Sequence, residues 1–349
     1  MNQDLILIDG AHGGGQVLRT ALSLSMLTGQ AFRMVGIRGQ RSRPGLLRQH
    51  LTAVNAAAAI CGAQTLGAEL NSAEIEFRPG RVKAGEYAFA IGTAGSTLLV
   101  LQTLLPALMA AEGPSTVRIA GGTHNPGAPT FDFIQQAWLP LIRRMGGQVA
   151  LKLIKHGFVP AGGGLIEATV HPSSLRPLEL DVGDLPVAVD AVAALVSAIP
   201  VSIGNRELDR LCARLKLERC AQKVTDLGDH AGPGNVVSIT GSRGDVVDVF
   251  TAIGQERTRA EQVADRAVDD FRAWAESAGS VSSRLADQLM LPMAIAGGGW
   301  LSADRLSNHM KSNAGVIERF LPVEVEFLAT QATRRVALSV VLRSEGTCA

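Results

Sequence analysis

His309 has the type and the setting for acid, base or nucleophilic chemistry. It sits in a polar segment at residues 306–322, LSNHMKSNAGVIERFLP. Asn313 can cap the short apolar run at 314–320, which stops at Leu321-Pro322. That pattern predicts His309 on a loop leading into a helix N-terminus. Backbone N–H groups and the helix dipole favour an anion there, and Lys311 adds positive charge. A neutral imidazole beside an anion site can act as acid, base or nucleophile near pH 7. A surface-loop histidine is the plain alternative.

A second feature points to the same ligand chemistry. Between Gly10 and Ala68 there is no acidic residue and no lysine, but there are Arg19, Arg33, Arg38, Arg41, Arg43 and Arg48. Arginine alone, on loops beside glycines, suits a bidentate grip on phosphate oxygens. Solvated faces usually mix both signs of charge. Arg33 reads as solvated.

The elements that must position these groups repeat along the chain. Residues 4–9, DLILID, form a short apolar strand that runs into GAHGGG, and then QVLRTALSLSMLTGQ has helical spacing. Strand, glycine turn and helix offer backbone N–H groups to phosphate. The other reading is a tight turn whose glycines serve backbone shape. Residues 31–37 read as a strand, RGQRSR at 38–43 as a loop, and 46–61 as a long helix with Pro44 near its first turn. A second copy follows. Ile37-Arg-Gly and Pro44-Gly45 match Ile119-Ala-Gly and Pro126-Gly127 at the spacing that separates Gly10 from Gly92. The second helix of each copy ends near a glycine, Gly62 or Gly146. The repeat implies a β-α-β-α-β-β unit with its helices on one face of its sheet.

Residues 97–111 read as a buried helix, broken as a membrane span by Gln102 and Pro106. His124 reads as a loop-structuring residue, His230 as a turn residue, and His156 and His171 receive no role. From about 181 to 279 charge rises and glycine loops thin out, which marks an inserted module. It has helices near 206–217 and 258–278 and strands at 236–240 and 246–252, with Trp274 and Trp300 at module edges. LADQLMLPMAIAGGGW at 285–300 starts a third unit, closed by strands at 323–330 and 335–342.

The bulk numbers bound the rest. The chain has 349 residues, 46% hydrophobic and 19% charged, with net charge +1. That describes a soluble globular protein with a sizeable core and no overall polyanion signature. Cys61, Cys212, Cys220 and Cys348 form no CxxC pair and read as reduced cytosolic thiols. Residues 1–9 are too short and too acidic for a signal peptide, so the expected setting is cytoplasmic.

The chain resembles the RNA 3′-terminal phosphate cyclases from end to end. The likeness rests on DGA and GGGQVLR, IRGQRSRPGLLRQHLTAV, IGTAGSTLLVLQTLLPAL, GGTHNPGAP, HGFVPAGGG, GPGNVVS, LADQLMLPMA and the His309 segment. It implies a mixed α/β (α+β) fold. Three repeated β-α-β-α-β-β units, each like the C-terminal domain of translation initiation factor 3, form a large domain at 1–180 and 280–349. A smaller α/β domain is inserted at 181–279. It implies a ligase using ATP and a divalent metal, Mg²⁺ or Mn²⁺, with His309 as the nucleophile that accepts AMP. AMP then passes to an RNA 3′-phosphate, and the vicinal 2′-hydroxyl closes a 2′,3′-cyclic phosphodiester. By motif match, Arg19, Arg38, Arg41 and Gln49 are phosphate or RNA-end ligands. Gln102 and Arg284, Leu285, Ala286, Asp287 and Gln288 fall where the family holds ATP. Asp287 either orients His309 or contacts the nucleotide. The implied partners are ATP and an RNA 3′-phosphate end, with no membrane; a homodimer is compatible.

Two departures stand out. The family usually reads DGAxGEGGGQ, with a metal-contacting glutamate. This chain reads DGAHGGGQ, two residues shorter, and His12 falls at that position when aligned from GGGQ. Imidazole suits softer metals than Mg²⁺. Arg284 stands where some members carry tyrosine, and its guanidinium plane can still stack on adenine. Two other classes compete with the cyclase reading. One is a non-catalytic RNA-binding relative acting in ribosome biogenesis. The other is an enolpyruvyl transferase-like enzyme, which leaves the His309 segment without a task.

Overall fold

The computed structural model describes residues 5–217, 221–330 and 335–343. The chain opens with β1 (Ile6–Asp9), α1 (Gly15–Thr28), β2 (Phe32–Val35), α2 (Arg48–Cys61), β3 (Gln64–Leu66) and β4 (Ile75–Arg78). β1 lies parallel to β2, which requires a crossover, and α1 supplies it. β4 and then β3 add antiparallel, giving the order β1-β2-β4-β3. The next stretch has β5 (Glu86–Ala90), α3 (Thr97–Met109) and β6 (Ser115–Gly121). A helical run follows, α4 (Phe131–Phe133), a π-helical turn (Ile134–Trp138) and α5 (Leu139–Arg144), then β7 (Gln148–Lys155) and β8 (Gly164–His171). Its sheet, β5-β6-β8-β7, repeats the same order and strand senses.

β9 (Leu178–Glu179) leads into β10 (Val187–Ser197), α6 (Val201–Leu215), β11 (Ala221–Asp226), β12 (Gly234–Arg243), β13 (Val246–Ile253) and α7 (Ala260–Ala275). β10 to β13 form their own sheet in the order β11-β10-β12-β13. The chain ends with α8 (Ser283–Ile295), β14 (Gly299–Ala303), α9 (Asn308–Phe320), β15 (Val323–Thr330) and β16 (Arg335–Leu342). β9 pairs parallel with β14, and β16 and β15 add antiparallel, so the third sheet again has this pattern. Helices from different sheets meet in the middle. α1 packs on α2, α3 and α9, and α8 packs on α9. The apolar run of α3 follows from this, since every residue of the helix except Gln102 is buried. Among the described residues no helix is long and apolar enough to cross a membrane.

Several local expectations change. Pro44 lies outside α2, because Leu47, with extended backbone, caps the helix. β10 has no clear strand pattern in the sequence because VAVDAVAALVS is alanine-rich, and alanine is depleted in strands. β9 has too few residues to show an alternation, and β11 carries no strong strand residues beyond Val224 and Thr225. Trp274 is not at an edge. It is fully buried with Phe250 and Phe271 in the core between β12, β13 and α7. The charge in α6 and α7 is spent between them, in two-point pairs Arg206–Glu261 and Arg210–Asp265. Cys61 is a buried free thiol. Cys220 and Cys348 lie outside the described residues.

A buried acid on α6 is expected to make stability fall as pH rises. Glu207 on α6 is fully buried, accepts from Asn235 Nδ2 through one oxygen, and has no partner for the other among the described residues. Burial pushes its carboxyl up to about 7. A raised folded-state value favours the protonated form. Its stabilising contribution is therefore complete below the unfolded value near 4.5 and is lost as pH rises through about 7. Denaturation midpoints of the whole protein should fall between pH 5 and 8, and Glu207→Gln should flatten that slope. An unchanged slope in the variant would assign the titration to another group.

Candidate active site

The first glycine turn is built by three separate close approaches. β1 ends at Asp9, whose Oδ1 accepts from the Ala11 N–H at 2.8 Å. Gly13 and Gly14 adopt φ of 82° and 66°, a region costly for residues with a Cβ. A Cβ on Gly13 would sit 2.5 Å from Ser312 Oγ on α9, and one on Gly14 would sit 3.0 Å from Arg41 Nη2. A Cβ on Gly15 would overlap His50 Nε2. The glycines thus let α9, an arginine and α2 crowd onto one turn. α1 starts here with no side-chain cap and no acidic residue in its first turn. Its leading N–H groups and positive dipole end face the same place.

His309 lies within α9 and not on a loop before it. Ser307 is the cap, and its Oγ accepts from the Met310 N–H at 3.1 Å. The helix starts before the apolar run at 314–320 because Met310 already faces the core, one turn ahead of Ala314 and Ile317. Asn313 is not a cap. It is buried, and its Oδ1 accepts from Thr20 Oγ1 of α1 at 2.6 Å. His309 itself is exposed, in the first turn of α9.

A chain of hydrogen bonds fixes its tautomer. Gln16 Nε2 donates to Asp287 Oδ1 at 2.6 Å, and Gln16 Oε1 lies 2.8 Å from His309 Nδ1. The carboxylate accepts, so the amide must turn its N–H₂ to Asp287 and its oxygen to His309. In the neutral ring Nδ1 then carries the proton, and Nε2 keeps its lone pair. Gln288 Nε2 donates to the other Asp287 oxygen at 3.1 Å. Burial raises the Asp287 carboxyl above the usual range, while the Gln16 bond, His309 and Arg19 pull it down.

Behind this chain is a cavity of about 50 Å³ lined by Gln16, Arg19, Gln102, Trp138, Asp287 and Gln288. It has room for a few water molecules. Two groups there want a partner. Gln102 Oε1 is buried with none among the described residues. Arg19 is half-buried, and desolvation lowers it to about 10, partly offset by Asp287. It remains charged at neutral pH. His50 beside it is held neutral, pushed down to about 3 by burial and then by Arg19 and Arg38.

A family model, RNA 3′-terminal phosphate cyclase, matches residues 11–327. The chain belongs to the RNA 3′-terminal phosphate cyclase family. The RNA 3′-terminal phosphate cyclase of Ectopseudomonas mendocina is 53% identical over 343 residues, covering 98% of this chain and 99% of that one. That of Pseudomonas fluorescens is 54% identical, covering 93% and 95%. That of Salmonella typhimurium is 48% identical, covering 96% and 99%.

The residues matched to cyclase motifs do not all converge. Arg19, Gln102, Asp287 and Gln288 share the cavity, and Arg41 lies over the turn. Arg38, at φ 55°, donates to the carbonyls of Arg43 and Gly45 and so closes its own loop. Gln49 Oε1 accepts from the Ser96 N–H at 3.0 Å. Arg284 is exposed and paired with Asp270 of α7. Leu285 and Ala286 are fully buried, so their side chains pack the core. His124 is buried between Thr123 and Asp132, a structural arrangement. Gln16 and His50 went unmarked in the sequence. The only available signals were Gln16 directly after the glycines and His50 within RQHL.

The donors at the shortened loop do not fit a magnesium ion held by carboxylates. His12 is exposed with Gln40 Nε2 3.5 Å away, and Asp9 is engaged with Ala11. Among the described residues no group of three or more His, Cys, Asp or Glu is placed to hold a metal.

Proposed function

We propose that this chain uses ATP to convert an RNA 3′-terminal phosphate into a 2′,3′-cyclic phosphodiester. The observation that carries this is the Asp287–Gln16–His309 chain, which leaves Nε2 of an exposed histidine as the free nucleophile. The ring is tied to Gln16 in the first turn of α1, whose start is uncapped and has Arg19 and Arg41 beside it.

His309 Nε2 attacks the α-phosphorus of ATP. A P–N bond forms, the bond to the β-phosphate oxygen breaks, and pyrophosphate leaves. An oxygen of the RNA 3′-phosphate then attacks the same phosphorus, the P–N bond breaks, and RNA(3′)pp(5′)A forms. The neighbouring 2′-hydroxyl attacks the 3′-phosphorus, loses its proton, and expels AMP. Its proximity makes this last step intramolecular. Arg19 and Arg41 would stabilise charge on the phosphoryl groups in transfer. No step is routed through a metal, because the loop donors do not fit a magnesium ion held by carboxylates.

The same reading takes the three like-ordered sheets as copies of one unit forming a large domain, and the β10–β13 sheet with α6 and α7 as an inserted domain. It carries a cytoplasmic setting and is compatible with a homodimer. The relatives' names favour it over an enolpyruvyl transferase. An RNA-binding protein without catalysis would have no use for a tautomer-fixed, exposed histidine.

The test is incubation of the purified protein with α-labelled ATP in Mg²⁺ or Mn²⁺, followed by denaturing gel and acid treatment. An acid-labile label on the protein is expected, with Mn²⁺ at least as effective as Mg²⁺. No label with either metal would sink the cyclase reading and favour RNA binding alone.

A further inference from the structure

The start of α2 touches two glycine turns, and only one of them belongs to the site above. Arg48, Gln49 and His50 are consecutive and so point about 100° apart around the helix. His50 Nε2 faces Gly15 of the first turn. Gln49 faces the second turn, accepting from the Ser96 N–H and lying against Gly95. Arg48 faces it too, with Nη1 4.0 Å from where a Cβ on Gly92 would be. Gly92 has φ 72°, and Gly92 and Thr93 are exposed, as is Arg48.

Arg48 is also unneutralised. Arg33, Arg78 and Arg118 on strands, and Arg81 on the loop after β4, each have a glutamate partner. Arg48 has no carboxylate partner among the described residues, nor do Arg41 and Arg43, and no acidic residue lies between Gly10 and Ala68. An exposed guanidinium over an open glycine backbone, with no internal anion, is matched by an external one. The first turn is occupied, in the cyclase reading, by the reacting phosphates. The second lies across one helix, a body about 10–12 Å thick. At about 3.4 Å of axis per nucleotide, a strand ending at the first turn reaches the second within roughly three nucleotides.

We propose that Arg48, over the Gly92–Ser96 turn, holds an internal phosphodiester of the RNA just upstream of the reacting end. It is a specificity-determining residue that separates a polynucleotide end from a lone nucleotide. This rests on the cyclase reading only for the identity of the strand.

Equilibrium binding keeps the two ideas apart. The probes are a short 3′-phosphorylated oligouridylate and uridine 3′-monophosphate, which lacks any internal phosphodiester. Arg48→Ala should weaken the oligomer about tenfold and the mononucleotide less than twofold. It should also reduce the slope of log K against log salt for the oligomer by about 0.7, one single-strand contact. Arg48→Lys should recover part of the affinity. Equal losses on both probes, or no loss on the oligomer, would overturn the proposal. If the wild-type protein binds the oligomer through Arg48 but neither labels with AMP nor cyclises it, the cyclase reading falls and this one stands.

Discussion

His309→Ala will remove protein-bound AMP altogether, at least about a 10⁴-fold loss, while the fold survives. The loss is large because, in the proposed mechanism, the imidazole forms the covalent bond, and nucleophile deletions cost several orders of magnitude. The fold survives because His309 is exposed, in the first turn of a helix whose cap is Ser307. Alanine is the best helix former, so the main stability change is the lost bond to Gln16, about 1 kcal/mol. Circular dichroism and thermal melting should therefore track the wild type closely. Labelling that persists in the variant would assign the nucleophile elsewhere and remove the central role given to α9.

The next largest effect should come from Gln16→Ala. Gln16 touches the reacting atom only through His309, so it is a positioning residue. Its amide joins a buried carboxylate to the imidazole. Without it the ring can flip or swap tautomers, and Asp287 loses a bond to its charged form. A bond of this kind is worth about 1.5–3 kcal/mol, which is roughly 10- to 100-fold in adenylylation rate. The loss should fall on the rate and not on the KM for ATP. The pH profile should also move. Burial already raises the Asp287 carboxyl, and Gln16 opposes that rise. Removing Gln16 should push the carboxyl higher, so the limb of the profile set by Asp287 shifts to higher pH. A purely structural Gln16 would lower activity at every pH alike. A variant with an unmoved profile and a raised KM would defeat the positioning role.

Much of this protein is local, and the sequence carried it. Residues 323–330 and 335–342 alternate as strands do, and β15 and β16 occupy them. The apolar run of α3, the glycine turn after β1 and the acid-free arginine span are patterns of neighbours, readable from spacing and composition. Equal spacing separates Gly10 from Gly92 and Pro44-Gly45 from Pro126-Gly127, and the first two sheets share one strand order. Tertiary structure decided the rest. Which residue caps α9 depended on whether Met310 met a core, and only packing against α1 answers that. Three glycines looked alike in the sequence, yet each yields to a different neighbour, on α9, on the arginine loop and on α2. Asp287 could have met His309 directly or a nucleotide. Gln16 stands between them, 293 positions from His309 and 271 from Asp287, a contact that no local pattern encodes. Side-chain type limits what chemistry is available, and hydrogen bonds from distant elements determine which nitrogen of the neutral ring keeps its lone pair.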